Sequence, residues 1–173
     1  MSIKEISIKY LTLFLLVPLV SLGQDCVYER NEVDKTSGRR VIETRPHPLH
    51  MNMARGYKIG YKKDGSSLYL IMELLIFNIQ DVPIFKGQEL LLIFDNDKKM
   101  TLHSVKDYKT EYDRKLGTSF VTALYKIDAQ KLAILSKSTI RLLSVSFAKR
   151  YYEIECTQTR RKEKVMRLAK CVM

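Results

Sequence analysis

The placement of three cysteines, Cys26, Cys156 and Cys171, constrains this chain more than any other feature. Whether they pair depends on the compartment, and the opening residues bear on that. Lys4 and Lys9 come first, an apolar run of eleven residues from Tyr10 to Val20 follows, and Ser21-Leu22-Gly23-Gln24 closes the segment. A basic start, a short apolar centre and small residues at the −3 and −1 positions read as a secretory signal peptide over 1–23, cut between Gly23 and Gln24. The competing reading is a membrane anchor, which takes ~20 apolar residues; this run is shorter and Pro18 interrupts it. Lipid attachment at Cys26 is disfavoured, since Gln24 and Asp25 stand where lipoprotein processing takes small residues. The expectation is an exported chain, periplasmic or secreted, with no transmembrane segment after residue 23 and its cysteines in an oxidising environment.

There, one disulfide and one free thiol are expected, against the alternative of three reduced, buried thiols. "TQTRRKEKVMRLAKCVM" reads as a helix from near Thr159, which puts Cys171 ~18 Å up its axis at ~1.5 Å per residue. Cys156 lies three residues before that start and reaches back at most ~10 Å. A disulfide needs Cα atoms within about 7 Å, so Cys156 with Cys171 would require the helix to break. Cys26 with Cys171 and Cys26 with Cys156 are left. The first is preferred because it ties the two ends of the mature chain, and chain ends often lie close together. Cys156, after "YYEIE", then reads as a small buried hydrophobe at a strand end.

Residues 24–173 are 150 in number, enough for a single β-rich domain with one core. Two lysines and one glutamate leave with the signal, so the mature chain carries 28 Lys+Arg against 18 Asp+Glu, a balance of +10. That favours anionic partners by long-range attraction and is silent on the fold.

Along the chain, "CVYERNEVD" (26–34) and "RRVIETR" (39–45) read as a hairpin across "KTSG". "PHPLH" reads as a break, because Pro46 and Pro48 forbid a regular helix or a central strand. Residues 53–61 are ambiguous, and "KKDGSS" is a turn. "LYLIMELLIFNI" (68–79) is long enough for a helix, but its Tyr, Ile and Phe content after an Asp-Gly turn favours a strand. "ELLLIFD" (89–95) and "MTLHSVKDY" (100–108) read as strands joined by "NDKK", and 106–117 as an exposed loop or long hairpin end. "TSFVTALYKI" (118–127) is a strand, and "DAQKLAILSKS" a short helix capped by Asp128. "TIRLLSVSFA" and "YYEIEC" form a hairpin across Lys149-Arg150 before the terminal helix. The sum is seven or eight closely spaced strands and two helices. It predicts an α+β fold, mostly antiparallel β in a curved sheet or sandwich, with the C-terminal helix on one face or edge.

The segments "CVYERNEVDKTSGRR", "DGSSLYLIMEL" and "FKGQELLLIFDNDKKMTL", with a strand–helix ending that carries a late cysteine, give the mature chain a likeness. It resembles a group of small secreted β-rich proteins of Gram-negative bacteria whose function is not known. The likeness covers most of the mature chain and carries no catalytic signature, so it implies compartment and architecture alone. The group usually has a glycine after the aspartate of the central turn, and "DNDKK" lacks it.

Few constellations carry chemistry. The histidines are His47, His50 and His103; "HPLH" has metal-ligand residues, but the prolines remove the helix that would converge them, and they read as exposed loop residues. "GYKKDGSS" imitates a phosphate loop without the lysine after the second glycine, and "DNDKKM" begins like a calcium loop but has Lys99 and Met100 where a ligand and a glycine are needed. Gly-x-Ser-x-Gly and His-Glu-x-x-His are both missing. Glu29, Glu32, Asp34 and Glu43 fall on one hairpin, yet no tryptophan exists to serve as a sugar platform beside a carboxylate pair. No catalytic, cofactor or metal residue is assigned.

In the terminal helix Val165, Leu168, Ala169 and Val172 form an apolar stripe, and Arg160, Arg161, Lys164, Arg167 and Lys170 occupy the rest. A docked helix with a solvated basic face is one reading; a surface for anions is the other, with Arg160, Arg161, Lys164 and Arg167 as candidate ligands. Tyr151 and Tyr152 beside Lys149 and Arg150 add aromatic interleaving, which cross-strand packing explains equally well. Three functions follow. The first is a non-enzymatic exported module that binds another envelope protein or contributes structure. The second is a polyanion binder for nucleic acid, lipopolysaccharide or acidic polysaccharide. The third is a hydrolase whose residues assemble only in space.

Overall fold

Strand β5 (Ser67–Phe77) organises the fold. Leu70, Met72, Leu74 and Ile76 recur with period two and are all buried, which commits one face of this strand to the interior. The computed structural model describes residues 26–79, 81–147 and 150–173. The expected signal segment 1–23 and its cut at Gly23–Gln24 lie outside them. β5 pairs along its length with β4 (Arg55–Asp64) on one side and β9 (Thr118–Ile127) on the other, both antiparallel. β4 leads to β2 (Arg40–Thr44) and then β1 (Tyr28–Val33), while β9 leads to the short β8 (Glu111–Asp113). This sheet curls into a half-barrel. A second sheet has the order β11-β10-β6-β7, with β6 at Glu89–Phe94, β7 at Lys99–His103, β10 at Ile140–Phe147 and β11 at Arg150–Glu155.

Inner faces of both sheets meet in one apolar cluster. Tyr57, Ile59 and Tyr61 of β4 join Leu90, Leu92 and Phe94 of β6 and Leu143 and Val145 of β10. Burying each such aliphatic side chain contributes about 1.5–3 kcal/mol. Helix α1 (Ala129–Leu135) adds Leu132 and Leu135; its N-cap Asp128 accepts a hydrogen bond from the Lys131 amide at 2.7 Å. Helix α2 (Thr159–Lys170) lies against β4, β10, α1 and an additional strand. Val165, Leu168, Ala169 and Val172 are all buried, so its apolar stripe belongs to the core.

That additional strand is the chief difference from the sequence reading. "HPLHM" is strand β3 (His47–Met51), paired with β4, and not a break. β2 and β3 share one edge of β4: β2 takes Lys62–Asp64 and β3 takes Gly56–Ile59. Pro48 is tolerated because β3 pairs with β4 alone among the described residues, and the register shifts between Pro48 and His50. The corner joining β2 to β3 passes so close to β4 that a Cβ on Gly60 would lie 3.1 Å from the Thr44 carbonyl oxygen and 3.1 Å from Pro46 Cγ. Thr44 Oγ1 pins this corner, accepting from the Tyr61 amide at 2.9 Å and donating to the Tyr61 carbonyl at 3.3 Å.

The described residues hold eleven strands, against the seven or eight expected. The ambiguous stretch 53–61 is mostly β4, and 106–117, expected as an exposed loop or long hairpin end, contains β8, which forms a hairpin with β9. β7 stops at His103, after which only single bridges, Ser104 to Tyr125 and Ile84 to Tyr108, continue the pairing. The expected hairpins β1–β2, β6–β7 and β10–β11 are all present, and the expected turn at "KKDGSS" joins β4 to β5.

Cys26 is bonded to Cys171 with Cα atoms 5.8 Å apart, and Cys156 is a free, buried thiol. Burial pushes the Cys156 thiol up to about 12, which removes thiolate reactivity at neutral pH. Among the described residues no helix is long and apolar enough to cross a membrane.

Candidate functional site

The candidate anion ligands all lie on α2. Its first turn has no acidic residue, and Gln158 at the N-cap makes no side-chain capping bond, so positive backbone charge at this end is not offset locally. Arg160, Lys164 and Arg167 recur at i, i+4 and i+7, a stripe ~10.5 Å long at ~1.5 Å per residue. Arg160 and Arg167 are exposed, and Arg161 and Lys164 are half-buried. Arg167 lies 4.0 Å from Glu163. Lys162 is engaged elsewhere, 2.8 Å and 2.9 Å from the two carboxylate oxygens of Asp95. Burial alone would raise the Asp95 carboxyl, but bonds from Lys162 and Thr139 outweigh it and hold the group below its usual range.

His47 reports the field of this helix. Burial, then Lys164, then Arg161 hold its imidazole below the ordinary value of 6.5. The expectation of exposed loop histidines is thus corrected: His47 and His50 are half-buried on β3. The irregularity after Pro48 pairs His47 with Ile59 and His50 with Tyr57, so both stand opposite core positions of β4. Among the described residues no group of three or more His, Cys, Asp or Glu is placed to hold a metal ion. His103 is exposed on β7.

A second feature lies beside the helix. A cleft of about 420 Å³ separates the β3–β4 hairpin end from β11; it is lined by His50, Asn52, Ala54, Arg55 and Tyr57 on one side and Glu153, Ile154 and Glu155 on the other. Asn52 closes the hairpin, its Oδ1 accepting from the amides of Ala54 at 2.9 Å and Arg55 at 2.8 Å. Its amide nitrogen lies 3.1 Å from His50 Nε2, and the His50 ring stands edge-on to Tyr57, centroids 6.3 Å apart. The Arg55 guanidinium sits 4.7 Å over the Tyr152 ring, a cation–π contact. Tyr57 is fully buried and its hydroxyl has no hydrogen-bond partner. Burial pushes that phenol up to about 12; Arg55, near but outside hydrogen-bonding geometry, opposes the rise. Leaving such a hydroxyl unpaired costs about 1–3 kcal/mol.

Other sequence candidates disperse. Glu29 pairs with Arg45 at 3.1 Å, Glu32 and Asp34 with Arg30 at 2.6 Å and 3.0 Å, and Glu43 with Lys62 at 3.3 Å. Three cations therefore neutralise the four hairpin carboxylates, Glu32 and Asp34 sharing Arg30. "GYKKDGSS" is the β4–β5 hairpin, with Gly65 at φ 58, and "DNDKKM" the β6–β7 turn, with Asp97 at φ 60. Tyr151 is 74% exposed, whereas Tyr152 packs against the core. The residues that the sequence reading missed are those of the cleft. Arg55 and Tyr57 fall in the ambiguous stretch, and only the meeting of two sheets makes them neighbours of β11. Comparison with protein families, with curated proteins and with solved structures finds no match.

Proposed function

We propose that this chain is an exported, non-enzymatic binding module that holds an anionic polymer of the cell envelope on the basic face of α2. The observation that carries the reading is the division of that helix. Its apolar stripe is consumed by the core and its end is bonded through Cys171 to Cys26, so the opposite face is a fixed ledge rather than a mobile tail. On that ledge Arg160, Lys164 and Arg167 stand in a row with Arg161 beside them. Sulfate, phosphate or carboxylate groups repeating along a polymer match such a row, and the +10 balance of residues 24–173 draws the polymer in. The disulfide supports an oxidising compartment.

Heparin, a sulfated polysaccharide, serves as probe. Retention should fall steeply with salt, and the triple substitution Arg160→Glu, Lys164→Glu, Arg167→Glu should remove it. His47 supplies a local readout. Bound anions offset the field of Lys164 and Arg161, so the His47 pKa followed by NMR should rise when heparin is added. Retention that survives the triple substitution, with His47 unmoved, would overturn the proposal.

A further inference from the structure

The cleft beside α2 is bounded by a strand edge. β11 ends the second sheet, so one of its sides has no strand neighbour among the described residues. Glu153, Ile154 and Glu155 are consecutive and their side chains alternate between faces, yet all three line the cleft. Only the strand's backbone edge presents three successive residues at once. The Cys156 amide donates to the Arg141 carbonyl at 2.7 Å, which turns it toward β10. Alternation then turns Ile154 toward β10 as well, and leaves the N–H and C=O groups of Glu153 and Glu155 directed into the cleft.

We propose that this edge is a docking site for an extended segment of another exported protein, added antiparallel to β11 as a fifth strand of the second sheet. Free backbone groups on alternate residues are matched in spacing by another extended backbone. The two walls then set the side chains. Ile154 and Tyr152 lie opposite the buried Leu143 and Val145, which defines the inner face. On that side Arg55 rests over Tyr152, and the unpartnered Tyr57 hydroxyl offers a donor. A carboxylate of the incoming strand satisfies both. On the outer face Glu153 and Glu155 are exposed and call for cations. The recognised segment alternates basic, acidic, basic. This site is separate from the α2 ledge and does not depend on it.

The probe is the blocked peptide Ac-Thr-Lys-Asp-Lys-Thr-NH2. Its lysines stand opposite Glu155 and Glu153 and exchange backbone bonds with them, while its aspartate amide points away. Peptide binding should slow hydrogen exchange at the Glu153 and Glu155 amides. N-methylation of both lysine amides should weaken binding tenfold or more, on the order of 1 kcal/mol per bond lost, whereas N-methylation of the aspartate amide should leave it intact. Tyr57→Phe should weaken binding several-fold without lowering the Tm of the free protein, because it deletes a hydroxyl that lacks a partner there. Charge reversal on α2 should leave peptide binding unchanged, which separates this inference from the anionic-polymer reading. Three results overturn it: equal loss from either N-methylation pattern, no change in exchange at millimolar peptide, or protection of Glu153 and Glu155 that grows with protein concentration in the absence of peptide. The last would assign the edge to a second copy of this chain.

Discussion

Cutting the Cys26–Cys171 bond should lower stability without undocking α2. The bond spans 145 residues, and the loop-entropy relation converts a loop of that size into about 5 kcal/mol of restraint on the unfolded chain. Native disulfides removed from small secreted domains cost about 2–5 kcal/mol, so the expected loss falls in that range. Little of it should come from the folded side. Val165, Leu168, Ala169 and Val172 are all buried, and a buried valine or leucine contributes about 1.5–3 kcal/mol, so this stripe should hold α2 in place after the sulfurs are parted. The assay is urea unfolding of the double variant Cys26→Ser, Cys171→Ser beside the parent, followed by far-UV circular dichroism. With a slope of about 2 kcal/mol per molar urea, the midpoint should drop by about 1–2.5 M. The slope itself should rise, since the released chain expands further on unfolding. A loss below about 1 kcal/mol with an unchanged slope would refute the entropic reasoning. Helical signal that disappears before the main transition would show that the bond, and not the stripe, holds α2.

Other outcomes follow from single residues. Cys156, with its thiol at about 12, should not react with a disulfide reagent at pH 8 in the native state, and one thiol should react on unfolding without reductant; fast native reaction would contradict its burial. His47 titrates below its ordinary 6.5 in the folded chain, so its contribution to stability is complete above about pH 6.5 and declines as the pH falls from there toward the folded value. Lys164→Gln should raise the His47 pKa and flatten that decline, though not abolish it, because burial is the larger cause. Gly60→Ala should cost about 1–3 kcal/mol in urea unfolding by forcing the Thr44–Pro46 corner off β4; a neutral result would show that the corner yields freely.

Much of the secondary structure was legible residue by residue. The Asp64-Gly65 turn ahead of the apolar run announced a strand, and Asp128 before Leu132 and Leu135 announced a helix. "HPLHM" was not legible, because a proline is acceptable in a strand when its missing N–H faces away from the neighbour, and no local pattern says which side of a strand is bonded. The candidate site divided along the same line. Arg160, Arg161, Lys164 and Arg167 were readable because one helix orders them by its own period. Arg55, Tyr57 and the edge of β11 were not, because they are brought together across the junction of two sheets.

By itself the sequence excluded a Cys156–Cys171 bond, through the rise of a helix that carries Cys171 out of reach of Cys156, and it determined which face of that helix is basic; that Cys26 pairs with Cys171 and not with Cys156 is decided by the fold. Both are consequences of short-range geometry, where spacing along the chain converts directly into distance. Tertiary structure alone decided that β2 and β3 share one edge of β4 over Gly60, that Arg55 rests on Tyr152, and that the Tyr57 hydroxyl is buried without a partner. Those contacts depend on how sheets curl and which edges meet, and chain separation places no bound on such neighbours.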